Sequence, residues 1–190
     1  MKTFMTVMMV LLLAAAACGQ KEDSAEETKQ PSASEAIATA IDVDLHTAAA
    51  TGNIEAIQQH IEAGSDLNVR DKDGGACPLS TAALFGQAEA VVALIEAGAD
   101  INFRGNDGAT PLHVAAFFCR EEIVKTLVEG GADMTIKNSY GSTPFESVSA
   151  PFETVKPVYE HFVKVLEPMG VKLDLAWIEA TRPKIAEMLK

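Results

Sequence analysis

Histidines are the residues of this chain best suited to acid–base or metal chemistry, and there are four: His46, His60, His113 and His161. None stands in an H-E-x-x-H motif, and none pairs with a cysteine at the spacing of a zinc site. The chain also contains no G-x-S-x-G nucleophile motif and no phosphate-binding glycine loop. We therefore predict no catalytic residue, no metal site and no cofactor, and we interpret the chain as a protein without enzymatic activity.

The acidic residues follow local structure rather than the needs of a reaction. Glu121 and Glu122 open a predicted helix, where carboxylates interact favourably with the positive end of the helix dipole. Asp66, Asp100 and Asp133 recur at the same place in a repeating pattern. Catalytic groups have no reason to recur with a period, so we assign these three residues to turns.

A 33-residue pattern organises the middle of the chain. Its clearest copy, residues 105–137, reads GNDGATPLHVAAFFCREEIVKTLVEGGADMTIK. Thr110 and Pro111 suit the N-cap and the first position of a short helix. A second helix follows, with apolar residues at helical spacing. An earlier copy, opened by Pro78 and closed by Asp100, has the same residue at ten positions that each lie 33 residues earlier.

This period, together with the T-P-L-H turn, resembles the ankyrin repeat. The resemblance implies an all-α ankyrin-repeat solenoid, in which helix–turn–helix units are joined by β-hairpin-like turns. It also implies that the protein binds other proteins. In the family the histidine of the turn bonds a neighbouring turn, which implies a structural role for His113 and, by register, for His46.

The register divides the chain into four repeats and a C-terminal helical cap. The repeat region spans 41–149, divided at about 41–70, 71–103, 104–136 and a degenerate 137–149, and the cap spans 150–190. An extra residue precedes Cys77, which predicts a small bulge in that turn. Cys77 and Ser80 replace the Thr and His of the motif, and Cys119 replaces the glycine expected between the two helices.

The cap departs from the repeating pattern. We expect a helix from about Thr154 to Leu166, with Pro157 in its first turn. Its predicted buried face consists of Val158, Phe162, Val165 and Leu166. A further helix is predicted after Pro183. Such a cap is expected because each repeat buries its face only against a neighbour, so the last repeat needs a cover.

The N-terminus is typical of an exported protein. Residues 1–17 combine Lys2 with an apolar run and small residues, as in a signal peptide. Ala15 to Cys18 resembles a bacterial lipobox, although Ala15 stands where that motif usually has leucine. The resemblance implies lipidation of Cys18, and Gly19 after it implies the outer membrane rather than the inner one. Cleavage by an ordinary signal peptidase is the alternative. Residues 18–40 are polar and are interpreted as a tether.

Cys77 and Cys119 would meet oxidising conditions outside the cytoplasm. By the repeat register, one begins a first helix and the other follows the end of the next first helix. Helical rise and helix spacing place them about 16 Å apart, well beyond the ~7 Å reach of a disulfide. We predict two unpaired, buried thiols.

The resemblance also implies where a partner would bind, since ankyrin partners meet the hairpin tips and the exposed end of each first helix. The corresponding helix residues are large and apolar: Leu84, Phe85, Phe117 and Phe118. Apolar neighbours that are exposed often mark an interface. The alternative is that they pack against an adjacent repeat or lie beneath the cap. The tip residues assigned to the partner site are Arg70, Arg104 and Tyr140.

The formal net charge of −12 argues against nucleic acid as a partner, because the chain offers no basic footprint for phosphates. We predict a monomeric, periplasm-facing module that binds or protects another envelope protein. Two alternatives remain at this point: an accessory subunit of an envelope hydrolase, and a scaffold that associates with itself.

Overall fold

A computed structural model describes residues 42–190 of the chain. The predicted signal peptide, the lipidation site Cys18 and the tether lie outside the described residues. Within that range the regular structure is helical, without a β-strand. The helices are α1 (Leu45–Thr51), α2 (Ile54–Glu62), α3 (Pro78–Phe85), α4 (Ala88–Glu96), α5 (Pro111–Phe117), α6 (Glu121–Glu129), α7 (Pro144–Ser149), α8 (Phe152–Leu166) and α9 (Leu175–Met188), with a 3₁₀ turn at Glu167–Met169.

The first helix of each repeat begins where the sequence predicts it. Pro78, Pro111 and Pro144 occupy the first turn of α3, α5 and α7, where the missing N–H of proline costs no helical hydrogen bond. In the first repeat Asp44 replaces this arrangement: its side chain accepts a hydrogen bond from Thr47 N at 3.1 Å. The helix starts are therefore encoded locally.

The core runs through the stack of repeats as a continuous layer. Each of the first three repeats places a leucine and two adjacent alanines of its first helix in this layer, and small alanine side chains let the helices approach closely. These residues are Leu45, Ala48, Ala49, Leu79, Ala82, Ala83, Leu112, Ala115 and Ala116. The second helices add Ile57, Val91, Leu94, Val124 and Leu127. Each repeat thus buries its apolar face against the next one, as a solenoid requires.

The extra residue between the first two repeats is absorbed by a turn built around one carboxylate. Asp71 accepts hydrogen bonds from the backbone N–H groups of four residues, at 2.7 to 3.1 Å: Asp73, Gly74, Gly75 and Ala76. Burial raises the pKa of Asp71, but these donors outweigh it and hold the pKa below its usual value. The predicted bulge is confirmed as an ordered turn.

The residue between the two helices of a repeat lies in the left-handed region. Gly52 has φ +68° and Gly86 has φ +79°. Cys119, at the equivalent position, has φ 55° and is the only residue other than glycine with a positive φ in the described part of the chain. A side chain in this conformation costs roughly 1–2 kcal/mol. The cysteine is tolerated because its buried Sγ lies 3.9 Å from Ile178 O of α9.

The first cap helix differs from the predicted one in its start and in its buried face. Helix α8 starts at Phe152, so Pro157 lies beyond its first turn. Val158 and Val165 are exposed, whereas Tyr159 and Leu166 are buried. The prediction of Val158 and Val165 as core residues was wrong, because the face turned toward α5 is the one that carries Tyr159.

The last helix is continuous rather than broken at its proline. Helix α9 runs through Pro183 from Leu175 to Met188. Its buried face, Ile178, Arg182 and Ile185, packs toward the last repeats. The cap is therefore two long helices set across the end of the repeat stack.

Candidate functional site

The cap covers much of the surface that the sequence assigned to a partner. The Phe117 ring stacks on Tyr159 of α8, with ring centroids 4.5 Å apart and planes 15° apart. Phe118 is buried and meets Phe162 edge to face at 5.3 Å. These rings are internal contacts between the third repeat and the cap. The expectation that Phe117 and Phe118 form an open apolar patch was wrong.

Leu84 and Phe85 are half-buried. They lie beside a small apolar cluster formed by Phe118, Leu166 and Val171. They pack against this cluster, where an open concave face was expected. The alternative weighed from the sequence, burial beneath the C-terminal helices, therefore describes these residues better. The sequence pattern could not distinguish the two, because the cap does not follow the period.

A row of backbone carbonyls, one per repeat, shows how the cap joins the solenoid. Ala50 O accepts from Gln87 Nε2 at 2.9 Å, and Leu84 O accepts from Arg120 Nη2 at 3.0 Å. Gln87 and Arg120 occupy equivalent positions in successive repeats. These side chains satisfy carbonyls that the ends of the first helices leave open.

The same row continues into the cap with different donors. Phe117 O accepts from the Tyr159 hydroxyl at 2.7 Å, and Ala150 O accepts from Arg182 Nη2 at 2.9 Å. Arg182 Nη1 also donates to the Tyr159 oxygen at 2.8 Å. Two residues of the cap thus occupy the places that a further repeat would have filled.

Arg182 is 3% exposed, and within residues 42–190 no carboxylate forms an ion pair with it. Burial raises the pKa of the neighbouring Tyr159 hydroxyl to about 12, against the opposing effect of the Arg182 charge. Burial likewise raises the pKa of the Cys119 thiol to about 11. Both groups therefore stay protonated near neutral pH. The Tyr159 hydroxyl acts as a hydrogen-bonding group, and the Cys119 thiol is not a reactive thiolate.

The predicted free thiols are confirmed. Cys77 and Cys119 are both buried and unpaired. Burial raises the pKa of Cys77, and its Sγ lies 3.5 Å from Ser80 Oγ. This weak contact stands where the third repeat has the stronger bonds of Thr110 and His113.

His113 is held as a neutral ring. Thr110 N donates to His113 Nδ1 at 3.2 Å, which makes Nδ1 an acceptor. The proton therefore lies on Nε2, which donates to Ser142 O at 2.9 Å. Burial lowers the pKa of His113. The bond to the neighbouring turn matches the structural role that the resemblance implied.

Of the other three histidines, two donate hydrogen bonds to backbone carbonyls and one is exposed. His46 Nε2 donates to Val69 O at 3.0 Å, and His60 Nε2 donates to Val43 O at 2.8 Å. His161 is exposed on α8. Among the residues that the structure describes, no cluster of three or more His, Cys, Asp or Glu side chains has a geometry that could hold a metal ion.

The hairpin tips present a second surface, which the cap leaves open. Arg70, Arg104 and Tyr140 are exposed, and Tyr140 is 84% exposed. The two arginines also serve the fold: Arg70 lies 4.5 Å from the centre of the Phe103 ring, and Arg104 Nη2 donates to Lys137 O at 2.8 Å. Successive tips are joined by backbone hydrogen bonds, from Asn106 to Gly74 O and from Ser139 to Asp107 O. The tips therefore form a regular, ordered row.

A groove between the repeats and the cap was not predicted. It consists of two surface pockets, of about 270 and 340 Å³, and Arg120 and Lys172 line both. We call it the cap groove. Its other lining residues are Ala50, Phe85, Gln87, Phe118, Met169, Gly170, Val171, Leu173, Asp174, Trp177 and Ile178. The pattern gave one signal for it: Arg120 stands in the register of Gln87, where a long polar side chain reaches back across the repeat.

Comparison with protein families identifies the repeats. Residues 45–138 match the family of ankyrin repeats, with three copies. A search of curated proteins found no match. Within the described range, no helix has both the length and the apolar character needed to cross a membrane.

Proposed function

We propose that this chain, whose residues 45–138 are ankyrin repeats, is a non-catalytic protein-binding module held at a bacterial envelope by a lipid on Cys18. Ankyrin repeats suggest a protein–protein interaction module. The envelope location rests on the signal-like N-terminus and the lipobox-like Ala15 to Cys18. We infer from the same residues that the repeats face the periplasm and that the anchor lies in the outer membrane rather than the inner one.

The observation that carries the binding function is the ordered row of hairpin tips. The cap buries Phe118 and covers part of Phe117, but it leaves the tips free. Tyr140 is 84% exposed at the last tip, although its backbone is fixed by a 3.0 Å bond from its N–H to Asn138 Oδ1. An aromatic side chain on a rigid turn suits an interface, because aromatic anchors supply much of the energy of protein binding.

The test is photo-crosslinking in native envelopes, with a photoreactive amino acid at position 140 and, as a control, at the exposed Gln58 of α2. We expect one protein to be captured at position 140 and not at position 58. That protein, once purified, should bind the wild type about tenfold more tightly than a Tyr140→Ser variant. Equal binding of the two would contradict a partner site at the tips.

The anchor is tested separately. Mass analysis of the mature N-terminus should show a diacylated or triacylated Cys18, and a Cys18→Ser variant should leave the membrane fraction. An unmodified N-terminus beyond Cys18 would instead indicate ordinary signal cleavage. This result would change the location of the module and leave its binding function untouched.

A further inference from the structure

We propose that the cap groove binds an acidic, partly apolar peptide segment of a partner protein, with a carboxylate at Arg120 and Lys172 and an apolar side chain beside Trp177. This inference rests on the proposed function, because it names the chemistry of a partner for a protein-binding module. It concerns a surface different from the hairpin tips.

Charge is the first argument. Three ion pairs occur within residues 42–190, Lys125–Glu129, Lys184–Glu121 and Lys190–Glu187, and none involves Arg120 or Lys172. Although the chain has a net charge of −12, two cations that share a groove without an ion-pair partner make the local potential positive. Such a groove attracts an anion.

One carboxylate does line the groove, and it is already engaged. Asp174 Oδ1 accepts from Ala176 N at 3.0 Å and from Trp177 N at 3.1 Å, where it caps α9. These bonds direct its charge to the start of the helix. Asp174 therefore reduces the positive potential at one end of the groove and leaves Arg120 without an ion-pair partner.

The second argument is that Arg120 is already in position. Its Nη2 is fixed by Leu84 O at 3.0 Å, and its Cζ lies 3.2 Å from where a Cβ on Gly86 would stand. Its Nε is buried and has no hydrogen-bond partner in the described part of the chain. Burial lowers the pKa of Arg120. A nearby anion would offset the cost of this burial, and a side chain held in place loses little entropy when it binds.

The third argument is the apolar rim. Met169 is 57% exposed and Trp177 is 46% exposed, whereas Phe85 and Phe118 lie deeper in the groove. Large apolar side chains next to unpaired cations favour a ligand that carries both features. A peptide with a carboxylate beside a leucine or an aromatic residue has them, and each pocket is large enough for one or two side chains.

Trp177 provides a direct readout because it is the only tryptophan of the chain. The probe is a fully randomised hexapeptide library, selected on the purified full chain. We expect the selected peptides to contain Asp or Glu next to an apolar residue and to change the fluorescence of Trp177. Replacing their acidic residues by Asn or Gln should weaken binding about tenfold.

Variants test the assignment of the site. Lys172→Glu should weaken the selected peptides at least about tenfold, since an exposed lysine is lost from the site and repulsion is added. Lys164→Glu is the matched control: it makes the same change in charge on the exposed part of α8, outside the groove, and should change affinity less than about twofold. Arg120→Gln should act like Lys172→Glu if its melting temperature shows an intact fold.

Four results would overturn the inference: no selected peptide, selected peptides without acidic residues, binding that leaves Trp177 unaffected, or equal binding to the Lys172→Glu variant. The crosslinking experiment at Tyr140 is independent of these results. A partner captured there without acidic-peptide binding would reject the groove and keep the proposed function. Acidic peptides bound without a captured partner would keep the groove and reject the tips.

Discussion

Gln87 and Arg120 reach Ala50 O and Leu84 O from positions one period apart, whereas Tyr159 and Arg182 reach Phe117 O and Ala150 O from helices outside the period. The acceptors are equivalent in both regions, but the donors differ in burial. The repeats use half-exposed side chains at the edge of the stack. The cap uses buried donor side chains, Tyr159 and Arg182.

This difference shows what the last repeat of the stack needs and an internal repeat does not. An internal repeat can leave part of its polar edge to water, because its apolar face is covered by the next repeat. The last repeat needs a cover for that face and donors for the carbonyls beneath the cover, since buried unpaired carbonyls are costly. Tyr159 meets both needs: its ring stacks on Phe117, and its hydroxyl bonds Phe117 O.

The largest expected effect is at Arg182. Arg182→Ala removes two hydrogen bonds from a charged donor and leaves a cavity, so we expect a loss of about 3–5 kcal/mol in the free energy of unfolding. Urea denaturation followed by circular dichroism measures it. Arg182→Met restores most of the volume without the donors, and a stability equal to wild type in that variant would contradict a bonding role.

Tyr159→Phe separates the hydroxyl from the ring. The variant keeps the stacked ring but leaves Phe117 O and Arg182 Nη1 without this partner, so we expect a loss of about 2–3 kcal/mol. Gln87 is the half-exposed donor to Ala50 O, so Gln87→Ala should lower the free energy of unfolding by only about 0.5–1.5 kcal/mol. Equal losses in the two variants would mean that burial does not distinguish the cap from the repeats.

Substitutions of the residue between the two helices of a repeat should have smaller effects on stability. Gly86→Ala places a side chain at φ +79° and 3.2 Å from Arg120 Cζ, so we expect destabilisation of about 1–2 kcal/mol. Cys119→Gly relieves the backbone but loses the buried thiol, and the two effects should cancel to within about 1 kcal/mol. Thermal denaturation of both variants provides the comparison. A large loss on Cys119→Gly would show that the thiol contact with α9 dominates.

The smallest effect is the pH dependence due to His113. Its pKa is lowered from 6.5 in the folded chain, so the unfolded chain binds more protons below that value. The contribution to stability is fully present above pH 6.5 and falls as the pH drops toward the folded pKa. His113→Gln removes the titration, so its stability should fall less than that of the wild type between pH 7.5 and 5. Parallel curves would contradict this, because the other histidines are common to both.

The repeat helices could be predicted because their signals are local and recur. Pro111 and Asp44 each mark a helix start without help from distant residues, and helix geometry was enough to predict that Cys77 and Cys119 are unpaired. The cap was predicted only in outline. Which face of α8 is buried depends on where Tyr159 meets Phe117 O, and no periodic signal encodes that contact.

The candidate site was predicted less well than the fold. Phe117 and Phe118 are apolar at positions that face solvent in a regular ankyrin repeat, so composition alone suggested an interface. Burial was decided by α8, which lies more than 30 residues later in the sequence. The groove around Arg120 arises from the same helices. The sequence identified the tip residue Tyr140 because the turn that exposes it is local.

The placement of the donors also determines how the protein can change in length. A duplicated copy of residues 71–103, inserted before Arg104, would bring its own equivalents of Leu84 O and Gln87 and would leave Tyr159 and Arg182 with their present acceptors. A repeat added after Ala150 would separate those two residues from the carbonyls that they serve. Duplication or engineering can therefore lengthen this array from its interior and not at its C-terminal end.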